Sequence, residues 1–357
     1  MAERTKPRLP TEFALAIACC GALDTTRLNP ASDLAATVDW SRFLAVCRRH
    51  RVQGLVWRAL GNFVLMPPDV IADQLRAEAV AIAQQGLLAA SVSNDLLGEM
   101  TTANIPVLFV KGLTLSKLAY VDPFVKMSHD IDILVPVGSV ERAGTVLTCM
   151  GYTQTVPRHR NLAAWHRLHK ESLWARRGSP TVDLHSRLAD NRCLIPGIGN
   201  LSPVQLVEIT AGVVLPTLAR DELIAYLSVH GASSAWFRLK WIADLAALLD
   251  SCEAAEIDRV VDRASQLGAG HALPAALILI RDLFGLSFGP ATERAGARSA
   301  NRLLAWIARN ELLDPAEPTH QRFGTAAIHV SQLFLMSGAA FKATELMRQV
   351  RAALANA

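Results

Sequence analysis

The chain carries its most distinctive pattern in Val107-Leu108-Phe109-Val110-Lys111-Gly112 and, after seventeen further residues, in Asp130-Ile131-Asp132-Ile133-Leu134-Val135. Each segment contains a short apolar run rich in β-branched residues, which favours a buried strand. The Lys-Gly pair indicates a turn, and Leu113–Tyr120 has a helical pattern that Asp122-Pro123 ends. The pattern therefore predicts a strand, a glycine turn, a helix and a second strand.

The second strand presents two carboxylates on one face. Side chains alternate along a strand, so Asp130 and Asp132 point to the same side while Ile131 and Ile133 point into a core. Two carboxylates at this spacing repel each other unless a cation lies between them. The pattern suits a hard cation such as Mg²⁺, although a D-x-D pair by itself also occurs on surface strands.

A third acidic residue has a similar strand context. Val182-Asp183-Leu184 lies 51 residues after Asp132, and it follows the run Glu171–Ala175 across a Gly-Ser-Pro turn. This arrangement predicts a hairpin that returns Asp183 to the sheet beside the first two carboxylates. Three carboxylates on neighbouring strands would form a site for two Mg²⁺ ions, with Mn²⁺ as an alternative. The Lys111-Gly112 turn and the following helix N-terminus would then face an anion such as a triphosphate.

Composition limits the class of protein. The 357 residues are 51% hydrophobic and 19% charged, which is typical of a globular chain, and the net charge of +4 does not by itself require a nucleic-acid partner. The six cysteines show no C-x-x-C pair, which favours reduced thiols and a cytoplasmic location. No stretch reaches the ~20 apolar residues needed to span a bilayer, so we expect no membrane association.

The pattern predicts an α+β fold in which a small mixed-sheet core is flanked by N-terminal and C-terminal helical regions. The expected boundaries are 1–103, 104–200 and 201–357. Within the flanking regions we expect Val70–Leu97 to form one helix or two, and we expect helices over Val207–Leu218, Trp236–Leu249 and Ala326–Ala355.

These motifs resemble the polymerase-β-like nucleotidyltransferase superfamily, and within it a bacterial family of uncharacterised nucleotidyltransferases. Members of that family carry K-G, Y-x-D-P, D-I-D-x-L-V and V-D-L-H in this order. In this chain the corresponding residues are Lys111-Gly112, Tyr120 with Asp122-Pro123, Asp130–Val135, and Val182-Asp183-Leu184-His185. His230-Gly231 and Trp236-Phe237-Arg238-Leu239-Lys240 resemble the family's later motifs, so that the resemblance spans roughly residues 10 to 290.

The resemblance implies an enzyme that moves a nucleoside monophosphate from a nucleoside triphosphate to an acceptor. Asp130 and Asp132 would bind both metal ions, and Asp183 would bind the catalytic one. The residues expected to contact the nucleotide are Lys111, Gly112, Lys126, His129, His185, His230, Arg238 and Lys240. Two positions depart from the pattern: Leu113 follows the turn glycine where the superfamily has Ser or Gly, and Lys126 stands where the family often has arginine.

Several of these residues also have structural interpretations. His185 would share the face of Asp183, where it either orients a carboxylate, contacts substrate or makes a structural hydrogen bond. Lys240 and Asp244, four residues apart on a helix, would form an ion pair, and at most one of Arg238 and Lys240 would point into the site. The Trp-rich segment, with Trp236 and Trp241, is expected to belong to the core.

The remaining basic and histidine clusters favour solvated surface. They are Arg48-Arg49-His50-Arg51, Arg158-His159-Arg160, Arg176-Arg177 and the group His159, His166 and His169.

The acceptor is open at this level. A sugar, a peptide or a phosphorylated intermediate fits a role in biosynthesis of a modified peptide, polysaccharide or other natural product. A toxin-like enzyme that modifies tRNA or protein is an alternative, which the modest charge disfavours. The third hypothesis is a non-catalytic scaffold that keeps the fold, and three intact carboxylates weigh against it.

Overall fold

A computed structural model describes residues 9–21, 37–61, 67–158, 161–250 and 252–356. Within these residues the chain forms fifteen α-helices, a five-stranded mixed sheet and a two-stranded sheet. The predicted α+β fold, with a small mixed sheet between helical regions, is confirmed. The predicted domain boundaries stay a prediction.

Four helices precede the sheet: α1 (Thr11–Cys20), α2 (Trp40–His50), α3 (Gln53–Leu60) and α4 (Asp69–Thr102). The Asp39 side chain caps α2 by accepting hydrogen bonds from the backbone N–H groups of Ser41 and Arg42. The long run predicted as one helix or two is one helix of 34 residues, α4, which begins directly after Pro68.

The five-stranded sheet consists of β1 (Leu108–Phe109), β2 (Asp130–Leu134), β3 (Thr153–Val156), β4 (Glu171–Ala175) and β5 (Thr181–His185), in the spatial order β1-β2-β5-β4-β3. The β2–β5 pair is parallel and the other pairs are antiparallel. The predicted strands and the β4–β5 hairpin are therefore confirmed. Helices α5 (Leu113–Tyr120), α6 (Val140–Cys149) and α7 (Leu162–Leu168) connect the strands, with a 3₁₀ turn at Val137–Ser139.

The predicted helix over Val207–Leu218 is wrong. The segment forms an antiparallel hairpin, β6 (Val204–Thr210) and β7 (Val213–Leu218). Gly212 takes a positive φ of 81° in the turn, and Pro216 lacks the N–H that a helix interior requires. The β-branched residues on either side of this turn favour strands, and that preference prevails over the apparent helical period.

Eight α-helices and one 3₁₀ turn follow the hairpin in the described residues. The helices are α8 (Arg220–Ser233), α9 (Leu239–Asp250), α10 (Ala254–Gln266), α11 (Ala272–Phe284), α12 (Pro290–Ala297), α13 (Ser299–Leu313), α14 (Ala326–Gln332) and α15 (Ala339–Asn356), and the 3₁₀ turn is Pro318–His320. Two boundaries differ from the predictions. Helix α9 begins at Leu239 because Ala235 and Trp236 have positive φ angles of 46° and 53°, which a helix excludes. The last helical region is divided before Gly338, whose φ is 103°.

Two hydrophobic cores hold these elements. One lies on the sheet and includes Phe109, Ile133 and Leu184, packed against Leu96 and Met100 of α4. The larger core joins side chains of the N-terminal helices to those of the C-terminal helices, so both helical regions bury their apolar faces together. No helix in the described ranges is long and apolar enough to cross a membrane.

Helix α3 meets the segment that leads into β2 at Gly54. A Cβ atom built on Gly54 would lie 2.1 Å from the carbonyl oxygen of Val125 and 3.8 Å from Cδ1 of Ile82. Only glycine permits this approach, because backbone atoms cannot move aside as a flexible side chain can. Gly54 therefore fixes the N-terminal helices against the backbone that carries Asp130.

We expect Gly54→Ala to destabilise the protein by roughly 1–3 kcal/mol, through overpacking against Val125. The matched control is Gly98→Ala in α4, where a Cβ meets nothing within 4 Å. That change should stabilise the protein by roughly 0.5–1 kcal/mol, since alanine is the better helix former. Denaturant midpoints at unchanged m-value would measure both, and equal effects would contradict the close packing at Gly54.

Candidate active site

The parallel pair β2 and β5 brings the acidic residues together. In its register Asp132 lies opposite Asp183, and Asp130 lies opposite Thr181. One ligand atom from each of Asp132, Asp183 and His185 lies within 4.8 Å of the other two. On the other face of β2, Ile131 and Ile133 are buried in the sheet core. The alternation predicted for this strand therefore holds, and it places two strands' carboxylates side by side.

Asp132 is buried between two basic side chains. Its Oδ1 lies 2.7 Å from Nζ of Lys111 and 3.0 Å from Nε2 of His185. Burial alone would raise the pKa of Asp132, but Lys111 and the hydrogen bond from His185 lower it well below its ordinary value. Burial likewise opposes the charged form of Lys111, but Asp132 raises the pKa of Lys111 well above normal. The pair is ionised, and the charge of Lys111 is committed to Asp132.

Asp183 has no such partner. Burial, followed by the charges of Asp132, Asp130 and Glu171, raises its pKa from 3.8 to about 8. The charge of the nearby Lys111, which is paired with Asp132, opposes this shift but does not overcome it. These crowded carboxylates have too few cationic neighbours to balance their charge, and carboxylate oxygens are the ligands that a hard divalent cation prefers. The residues present therefore fit a metal ion that is held by Asp132 and Asp183 with Asp130 beside them.

His185 orients a carboxylate rather than facing the solvent. Its ring is buried, and Nε2 forms a hydrogen bond with Oδ1 of Asp132. Nδ1 lies 3.3 Å from Oε2 of Glu171 without forming a hydrogen bond. A histidine that fixes the rotamer of a ligand carboxylate is a common support for a metal site.

The Gly112 turn forms an anion-compatible corner next to these acids. Gly112 has φ 66° and ψ −123° and caps the N-terminus of α5. The hydroxyl of Thr114 donates to the carbonyl oxygens of Phe109 and Lys111 at 3.0 and 3.1 Å, which ties the turn to the end of β1. The free N–H groups at the start of α5 carry the positive end of the helix dipole.

A single cleft gathers the residues that the sequence singled out. Every predicted site residue lines it except His185, which lies behind Asp132. The lining side chains include Lys111, Gly112, Lys126, His129, Asp130, Asp132, Asp183, His230, Arg238 and Lys240. The cavity volume of the cleft is about 240 Å³. This volume lies slightly below the roughly 300–1,000 Å³ range of small-molecule sites.

Two expectations for the C-terminal wall are wrong. Arg238 and Lys240 both line the cleft, because Arg238 precedes the first residue of α9 and is not bound by helical spacing. Glu317 holds the Arg238 guanidinium in two hydrogen bonds of 3.1 and 2.7 Å. Asp244 pairs with Lys126 rather than with Lys240, at a distance of 2.5 Å between Nζ and Oδ2.

Because it pairs with Asp244, Lys126 is not available to bind an anionic ligand in the cleft. Its ammonium and the hydroxyl of Tyr120 both bond to the buried Asp244 carboxylate. This cluster joins α5 and the segment before β2 to α9, so it positions the cleft walls. Lys126 lines the cleft, but its charge is neutralised within the protein.

The surroundings of Lys240 disfavour its charged form. Burial, followed by the charge of Lys126, lowers the pKa of Lys240 from 10.5 to about 7; Arg51 lowers it too, and Asp130 and Asp244 only partly offset these effects. Burial and the charges of Lys111 and Lys170 also lower the pKa of His230 well below its ordinary value. A lysine held near neutrality in a cleft is a group that a bound anion would recharge.

Three charged residues of the cleft were not identified as site residues from the sequence. Lys170 and Glu171 lie at the start of β4, where Glu171 is the cross-strand neighbour of His185. The predicted β4–β5 hairpin could have identified Glu171, because the pairing of its strands makes Glu171 the neighbour of His185. Arg51 belongs to a cluster interpreted as solvated surface, but it is half-buried and lines the cleft, so that interpretation is wrong for this residue.

Other aromatic and histidine residues divide between core and cleft. Trp236 is buried as expected, whereas Trp241 is partly buried and lines the cleft. His166 is not on the surface: it is buried, and it bonds to the hydroxyls of Ser186 and Ser172 at 2.8 and 3.1 Å. His159 lies outside the described residues.

Comparison with known proteins agrees with this geometry. No curated protein sequence matches the chain. The profile of a family described as "Uncharacterised nucleotidyltransferase" matches residues 36–285, well over half of the chain and all of the residues that line the cleft. The chain belongs to this uncharacterised nucleotidyltransferase family.

Proposed function

We propose that this protein is a metal-dependent nucleotidyltransferase that moves a nucleoside monophosphate from a nucleoside triphosphate to a hydroxyl or phosphate acceptor, a reaction of the EC 2.7.7 type. The observation that carries the proposal is the pairing of Asp132 with Asp183 on adjacent parallel strands, beside Asp130 and the Gly112 turn. Membership of the nucleotidyltransferase family supports a nucleotide triphosphate as the donor.

Asp130, Asp132 and Asp183 would hold the metal, for which two Mg²⁺ ions are the proposed occupants and Mn²⁺ the alternative. When bound, the metal supplies charge that stabilises the negative phosphate oxygens and makes the acceptor oxygen easier to deprotonate. His185 holds Asp132 in one rotamer through the 3.0 Å hydrogen bond.

The remaining cleft residues bind and orient the donor. The N–H groups after Gly112, together with Lys111 and Lys240, face the triphosphate, while His129, His230 and Arg238 line the rest of the nucleotide site. In the reaction a bond forms between the acceptor oxygen and the α-phosphorus. The bond from the α-phosphorus to the bridging oxygen breaks, the acceptor proton is lost, and pyrophosphate leaves.

The acceptor side of the cleft is formed by Asp183 and Glu171. A sugar, a peptide or a phosphorylated intermediate is the proposed acceptor class, in a biosynthetic role. A toxin-like enzyme acting on tRNA or protein is the second candidate, and the net charge of +4 gives it less support than a basic surface would.

The first prediction concerns the donor. We expect one of ATP, GTP, CTP and UTP to bind wild-type protein with Mg²⁺ in isothermal titration calorimetry. Binding should be lost in Asp130→Ala/Asp132→Ala, because the ligands of the metal-bound triphosphate are gone. Asp95→Ala, an exposed acidic position on α4, serves as the matched control and should bind as the wild type does. If no nucleotide binds folded wild-type protein, the proposed function is wrong and the non-catalytic scaffold becomes the favoured hypothesis.

The second prediction uses stability in the absence of metal. Asp183 keeps its proton in the folded protein up to about pH 8, whereas the unfolded chain loses it near 3.8. The folded state therefore binds more protons between these values, and the free energy of unfolding should fall by about 1.4 kcal/mol per pH unit as pH rises through this window. Asp183→Asn should remove this slope and be the more stable protein at pH 8.

Addition of Mg²⁺ distinguishes the cause. The ion should raise the melting temperature of wild-type protein and have little effect on Asp183→Asn, since the crowded carboxylates are what the ion relieves. Identical pH slopes for the two metal-free proteins would contradict the raised pKa of Asp183.

The third prediction follows from Lys240. Burial lowers the pKa of Lys240 to about 7 together with the charges of Lys126 and Arg51, and the charges of Asp130 and Asp244 oppose this shift. A bound triphosphate should raise that pKa, so binding takes up a proton above pH 7. Affinity should then weaken as pH rises from about 7 to 9, by up to about tenfold per pH unit. Titration calorimetry of Lys240→Arg, which stays charged throughout, should show a flatter profile; parallel profiles would exclude this role.

A further inference from the structure

Arg51 reaches the cleft from outside the sheet and its neighbouring helices. It follows α2 in the N-terminal helical region, and it lines the cleft together with Lys240, Arg238 and His129. Burial, followed by the charges of Arg51 and Lys240, lowers the pKa of His129, so both cations lie near this residue. Burial and the charge of Arg238 lower the pKa of Arg51, whereas the charges of Glu317 and Asp130 raise it.

The backbone at Arg51 is unusual for an arginine. Its φ of 57° and ψ of 46° place it in the left-handed region at the end of α2. Its N–H bonds to the carbonyl oxygen of Arg48 at 3.2 Å, and the N–H of Val52 bonds to that of Cys47 at 3.0 Å. Glycine normally occupies such a helix end, because other residues have strain from their Cβ atom. A strained arginine is explained if its side chain is required where this backbone directs it.

The other cations of the cleft already have anionic partners. Lys111 bonds to Asp132, Lys126 to Asp244 and Arg238 to Glu317, and Lys170 lies 3.3 Å from Glu171. Within the described part of the chain, the side chains of Arg51 and Lys240 form no ion pair. Arg51 and the near-neutral Lys240 line the cleft with the Gly112 corner and Asp130, so a bound anion would pair with Arg51 and recharge Lys240.

We propose that Arg51 binds the terminal phosphate of the donor triphosphate, so that the N-terminal helical region selects triphosphates over monophosphates. This inference rests on the proposed function and adds a specificity residue to it. The donor triphosphate is the proposed anion because Arg51 lines the same cleft as the Gly112 turn, Asp130 and Lys240, which are the residues assigned to the donor. Lys240 lies on the same wall and shares the anion.

The experiment measures three ligands with Mg²⁺ by titration calorimetry: the nucleoside triphosphate that binds wild-type protein, its monophosphate, and inorganic tripolyphosphate. Arg51→Gln should weaken the triphosphate and tripolyphosphate about tenfold or more and leave the monophosphate unchanged. Arg51→Lys should retain part of the affinity, since it keeps the charge and loses the planar fork. Arg42→Gln, an exposed arginine on α2, is the matched control and should change none of the three.

Arg51→Gly separates this role from a structural one. Glycine relieves the left-handed backbone, so the variant should melt at a higher temperature than wild type and still lose triphosphate affinity as Arg51→Gln does. Unchanged triphosphate affinity in either variant, or an equal loss for the monophosphate, would overturn the inference. If wild-type protein binds tripolyphosphate through Arg51 but binds no nucleotide, the proposed function is wrong and the role of Arg51 in anion binding stands. If it binds neither tripolyphosphate nor any nucleotide, the proposed function and the role of Arg51 are both wrong.

Discussion

Repulsion between Asp132 and Asp183 is the constraint on which the rest of the site depends. The parallel register of β2 and β5 fixes the two carboxylates opposite each other, and the buried sheet core behind them prevents either strand from turning away. The protein compensates one of these charges with Lys111 and His185 and leaves the other without a partner. That imbalance gives the cleft an affinity for positive charge at one defined place.

The opposite wall has the reverse imbalance. Asp244 pairs with Lys126 and Glu317 pairs with Arg238, whereas the side chains of Arg51 and Lys240 form no ion pair in the described part of the chain. Under the proposed function, a metal-bound triphosphate would place its metal at the acidic side chains and its phosphates at the basic ones.

The helical regions contribute to this complementarity through one shared core. Side chains of α1 to α3 pack with those of α8 to α11, and Gly54 brings α3 against the backbone of Val125. The basic wall is thus assembled from residues nearly two hundred positions apart, Arg51 and Lys240. Its geometry depends on that packing, since the two side chains come from different helical regions.

The sequence by itself determined β1, β2, β4 and β5, the Gly112 turn and the shared face of Asp130 and Asp132, because alternation and turn chemistry are local properties. It also predicted the β4–β5 hairpin and with it Asp183. It did not predict β3. It failed at β6 and β7, where a helical period competed with β-branched residues and Pro216, and at the start of α9. Only the tertiary structure decided which charges remain available. Lys126, Arg238 and Lys240 look equivalent along the chain, and Arg51 looks like surface; their states depend on Asp244, Glu317 and burial, which are set by contacts between distant elements and leave no local periodicity.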